Sequence, residues 1–116
     1  MLRFYISCRP IRIKNELVTP REQFVKGFRG LDIETKVIAM DLNKDGRMVY
    51  EVIIGANSQY SDADCSAYQA IILEGLAAFG CHLKTLESAQ ALVLLITGKT
   101  YEISGDHLVI PAPPVI

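Results

Sequence analysis

Residues 87–97 read ESAQALVLLIT, and their assignment decides how the rest of the chain can be assembled. The run 92–97 (LVLLIT) is too uniformly apolar for periodicity to separate a buried strand from a helix. The four residues before it, Ser88, Ala89, Gln90 and Ala91, are weak strand formers, and Gly98 offers a helix stop. A helix over 87–97 is therefore the expectation, with a strand over 92–97 as the alternative.

Working outward, CHLKT at 81–85 is a short strand candidate, and before it Ser61 caps a long helix over 62–79 that ends at Gly80. Asp62 and Asp64 sit in its first turn, where the helix dipole favours negative charge. Tyr68, Ile71, Ile72, Leu76 and Phe79 form one apolar stripe, and the many alanines elsewhere suggest a helix covered on two sides. Gly75 inside it costs about 1 kcal/mol relative to Ala, which points to close approach of another backbone. Beyond Gly98, residues 101–104 and 107–110 pair as a hairpin around Gly105-Asp106, and the tail 111–116 (PAPPVI) is expected to be extended.

Upstream, 2–8 (LRFYISC) is a strand, interrupted by Pro10 before a short run at 11–13. Thr19-Pro20-Arg21-Glu22 combines an N-cap with proline in the first helical position, so a helix over 20–29 follows, closed by Gly30. Strands over 35–42 and 47–54 flank Asn43-Lys44-Asp45-Gly46, whose Asp-Gly pair suits a tight turn. The sum is a single α/β or α+β domain over 1–110, with a mixed sheet of about five strands and two to three helices. If 92–97 were a strand, the order would instead be that of a ferredoxin-like split βαβ sandwich.

The chain has 116 residues, half of them apolar, and a formal net charge of -1. That excludes a strongly basic nucleic-acid binder. No apolar run approaches the ~18 residues of a membrane span, and no leader pattern opens the chain. A soluble, cytoplasmic protein with no membrane partner is expected. Cys8, Cys65 and Cys81 are odd in number and lie in apolar segments, as small core residues do. Cys81-His82 lacks companions for a zinc site, so no metal or cofactor is expected. A reactive Cys65 near a helix start, with His82 or His107 as base, is the sharper alternative. Asp41-Leu-Asn43-Lys-Asp45-Gly46 opens like a calcium loop, but the twelfth position is Val52 instead of Glu, and turn chemistry accounts for the same residues.

Charge is uneven. Residues 1–36 carry eight Lys/Arg and four acids, a net of +4, which leaves -5 for the remainder. Arg9, Arg12 and Lys14 are the candidate contact residues for phosphate or another partner, should they share a face. A solvated edge protected by charge is the competing account.

Three stretches, DGRMVYEV at 45–52, SAYQAIILEGLAAFG at 66–80 and ESAQALVLLITGKTYEI at 87–103, resemble the ribonuclease H-like superfamily. The resemblance implies a nuclease scaffold holding two metals on carboxylates from the first strand, the long helix and the end of the fourth strand. Here the first strand has no acid, and Ala67 stands where the helix of that family carries Glu. Glu87 is the one acid in register, with Asp62 and Asp64 as substitutes one turn away. These three are the weak catalytic candidates, and a site so depleted cannot hold a metal pair. The expected function is a non-catalytic binding or interaction domain contacting nucleic acid or a protein partner. The alternatives are a metal-dependent nuclease or other small hydrolase, and a structural homo-oligomer.

Overall fold

The computed structural model describes residues 1–41 and 46–109. The turn expected at 43–46 falls mostly outside them, as do two of the calcium-loop oxygens, Asn43 and Asp45, and the tail at 111–116. Helix α3 (Leu86–Thr97) settles the assignment with which the reading began. Thr85 accepts a hydrogen bond from the Ser88 amide at 3.1 Å, and Gly98 closes the helix at φ +74. The N-cap and the left-handed stop bracket a run that apolarity alone left undecided.

The fold is α+β, built on β1 (Leu2–Cys8), β4 (Ile33–Met40), β5 (Met48–Ile54) and β6 (His82–Lys84) in the order β4-β5-β1-β6. All three pairings are antiparallel. This central sheet thus has four strands and one sense, where about five in a mixed sheet were expected. Helix α1 (Pro20–Gly27) joins β1 to β4, and α2 (Asp62–Gly75) joins β5 to β6. That is the split βαβ order, reached without a strand at 92–97. The fourth strand is His82–Lys84, and the helical assignment of α3 and the split βαβ order prove compatible.

Strand alternation distributes the core on two faces. Phe4, Ile6 and Cys8 of β1, with Met48, Tyr50, Val52 and Ile54 of β5, meet Phe24 of α1 and Cys65, Ile72 and Leu76 of α2. On the other face Tyr5 and Val49 meet Ala89 and Val93 of α3. Also on that side lie Tyr101 and Leu108, the latter on the hairpin β7 (Glu102–Ser104) and β8 (His107–Val109). A bulge at Ile38 shifts the β4 register between Val37 and Ala39, and Ile38 and Ala39 both reach this second core.

Two expectations for α2 change. Ile71 is half exposed while Cys65 is buried, and Ala63, Ala67 and Ala70 face solvent, so the helix is covered on one side. Gly75 faces the Phe28 ring, which would lie 3.3 Å from an added Cβ, so a side chain and not a backbone makes the close approach. The expected caps are present: Ser61 and Asp64 exchange backbone bonds at 3.1 and 3.4 Å, and Thr19 accepts from the Glu22 amide. A short ribbon, β2 (Ile11–Ile13) with β3 (Glu16–Val18), was half anticipated. Its second strand follows a two-residue turn in which Lys14 and Asn15 both have positive φ.

Candidate functional site

The odd-numbered residues of β1 face α3 and the C-terminal hairpin. In the ladders, Ser7 lies between Val49 of β5 and His82 of β6, and Tyr5 lies opposite Lys84. One step outward, the same register sets Arg9 opposite Arg47. Because His82 and Lys84 alternate with Leu83, they share the face of Ser7. His82 and Lys84 of β6 therefore gather at the Cys8 end of the sheet with Arg9 and Arg47, which lie one residue beyond β1 and β5.

There they line a depression of about 330 Å³ together with Ser7, Cys8 and Gly80. Among the described residues its lining carries three cations, Arg9, Arg47 and Lys84, and no carboxylate. Backbone bonds fix its rim: the Arg9 amide donates to the Phe79 carbonyl at 2.8 Å, and the Asp41 amide donates to the Arg47 carbonyl at 2.8 Å. The second bond brings Asp41 beside the rim without placing it in the lining. Gly80 turns the chain at φ +62, delivering it from the 3₁₀ turn Ala77–Phe79 into β6. Ser7, at 6% exposure, is the buried polar residue of this end. Burial pushes the Cys8 thiol up to about 12 and the Cys81 thiol up to about 11, so both are neutral thiols near pH 7. Such a site can hold an anion by charge and hydrogen bonding, but it lacks an activated nucleophile.

Of the sequence-derived candidates, Arg9 belongs to this cleft. Arg12 lies exposed on β2 and Lys14 in the turn after it, so the three do not form one strip in the cleft. Asp62 and Asp64 sit at the start of α2 on one face of the sheet, and the Asp64 carboxylate accepts from the Ser61 amide as part of the cap. Glu87 sits at the start of α3 on the opposite face. The three carboxylates do not share a site, and among the described residues no group of three His, Cys, Asp or Glu could hold a metal ion. Cys65 is buried, with its Sγ directed at the Ile54 carbonyl 3.9 Å away.

Sequence reasoning missed Arg47, His82 and Lys84. A signal existed: His82-Leu83-Lys84 has the period of a strand with one basic face. What could not be seen was the partner of that strand, since β6 pairs with a segment more than seventy residues away. Comparisons of the chain with protein-family models, curated proteins and solved structures find no match.

Proposed function

We propose that the chain is a non-catalytic binding domain that holds an anionic group, phosphate foremost, in the cleft formed by Arg9, Arg47, His82 and Lys84. The observation that carries this reading is the composition of the lining, where Arg9, Arg47 and Lys84, brought together by β1, β5 and β6, gather around about 330 Å³ with no carboxylate among the described lining residues. A volume of that order lies at the small end of ligand sites, enough for a phosphate or a phosphorylated end of a larger partner. Arginine suits the role because its planar guanidinium makes paired bonds to phosphate oxygens. Base readout has no support at the cleft, since no aromatic side chain is among its described lining residues.

Titration with inorganic phosphate, followed by amide NMR shifts, tests the reading. Saturable shifts confined to the residues around Arg9, Gly80, His82 and Lys84 are expected. Lys84→Gln should weaken binding by about tenfold, the cost of one charge-assisted hydrogen bond. Affinity should also fall with added salt. Shifts that fail to saturate, or an unchanged affinity in the variant, refute the proposal.

A further inference from the structure

We propose that Cys8 and Cys81 form a modification site, a cross-strand thiol pair that closes to an intramolecular disulfide when a small disulfide such as oxidised glutathione is supplied. The pairing follows from register. Ile6 lies opposite Leu83 and Ser7 opposite His82, so the next step along the two chains sets Cys8 opposite Cys81. The Arg9 amide donates to the Phe79 carbonyl, toward the β6 side of β1. Amides alternate in direction along a strand, so that of Cys8 points the other way, to β5. In an unbroken ladder the two cysteines would be a non-hydrogen-bonded pair, with Cα atoms about 4.5 Å apart. The Arg9 amide reaches Phe79 instead of Gly80, so the ladder slips by one residue just past Ser7 and His82 and leaves Cys81 beside Cys8 at its end. Disulfides span Cα separations of about 4.4–6.8 Å, a window wide enough to take in cross-strand neighbours beside such a slip. Both side chains belong to the same core, Cys8 within it and Cys81 packed against it. Their nearness also registers electrostatically, because a charge on Cys81 raises the Cys8 pKa.

Cys65 cannot compete. Its thiol meets Ile54, which pairs with Leu2, six residues from Cys8 along β1 and therefore about 20 Å away. Cys81 is half-buried while Cys8 is 1% exposed, so Cys81 reacts first. It loses its proton and its sulfur attacks one sulfur of glutathione disulfide, whose S–S bond breaks to release one glutathione. Deprotonated Cys8 then attacks the Cys81 sulfur of the mixed disulfide, and the second glutathione leaves. Two electrons pass from the cysteines to the oxidant, and the two thiol protons end on two glutathione molecules. Both thiols are shifted upward, so the rate should rise about tenfold per pH unit between pH 7 and 9.

The test uses the full chain, and it stands apart from anion binding because its readout is covalent. After incubation with glutathione disulfide, thiol titration in denaturant should fall from three to one, with the loss of two hydrogens by mass. Non-reducing peptide mapping should join Cys8 to Cys81. Cys65→Ala should leave the bond intact and Cys81→Ser should abolish it. Three remaining thiols, a glutathione adduct that persists on Cys81, a bond that includes Cys65, or a bond between two chains would each overturn the proposal. The wild-type map alone decides if the buried Cys65→Ala variant fails to fold.

Discussion

Tyr5 shows how one side chain joins the two halves of the chain. It projects from the middle of β1 onto the face that α3 covers, and its hydroxyl donates to Glu51 Oε2 at 2.6 Å. The Tyr5 hydroxyl oxygen in turn accepts from the Leu108 amide at 2.8 Å, a bond spanning 103 residues. Leu108 is 3% exposed, so no water can take over that amide. Tyr5→Phe keeps the ring and removes the acceptor, leaving a buried N–H without a partner at a cost of about 1–3 kcal/mol. A lower urea midpoint with an unchanged m-value is the expected outcome. A loss below ~0.5 kcal/mol would mean that the hairpin is held by packing alone. Tyr101 adds a second tie on this face, its hydroxyl donating to the Ile38 carbonyl at 3.3 Å. Tyr5, Glu51 and Leu108 lie far apart in sequence, and nothing local announces their meeting.

Among the elements, α3 separates what sequence makes legible from what it does not. Its stop, Gly98, is local chemistry and could be read directly, whereas its N-cap, Thr85, falls in the segment expected to be the strand before it. Which side of the helix is buried was hidden, because Leu92, Val93, Leu94, Leu95 and Ile96 are all apolar. Packing chooses Val93, at 0% exposure, and leaves Leu95 at 78%. Val93→Ala should therefore cost about 2 kcal/mol, for two buried methyls and the space they leave. Leu95→Ala should stay within ~0.5 kcal/mol of wild type. Equal losses in urea denaturation would show that the exposed side of α3 is covered in solution. Strand β6 was legible within the run 81–85 that follows Gly80, though it is shorter by a residue at each end. Its place beside β1 was not, and with that place went the identity of the cleft. Arg9 was found because it lies in a locally basic segment, whereas Arg47 and Lys84 come from the portion of the chain whose net charge is -5.

For the molecule as a whole, the buried tyrosines and cysteines shift one way, upward, whereas hydrogen bonds from the Asn57 amide and from His107 lower the exposed Asp32 and Asp106 carboxyls. Burial raises Tyr5 and Tyr50 from about 10 to about 12, Cys8 from about 9 to about 12, and Cys81 from about 9 to about 11. In each case the folded chain keeps a proton that the unfolded chain has already released. Their contribution is fully present below about pH 8, where both states are protonated, and is lost as pH rises from the unfolded values through the folded ones. Each group that has ionised only in the unfolded chain adds a slope of up to about 1.4 kcal/mol per pH unit. Under reducing conditions, the urea midpoint should be flat from pH 7 to 8, fall from pH 9, and fall most steeply between 10 and 11. There the unfolded cysteines and tyrosines are ionising together while their folded counterparts are not. Tyr50→Phe isolates one of these groups. Its hydroxyl touches Met48 Sδ at 3.5 Å and accepts from the Arg21 backbone amide, so the variant surrenders both. Whatever the variant loses at pH 7, its midpoint should decline less between pH 9 and 11 than that of the wild type. Parallel declines would place the alkaline weakness elsewhere.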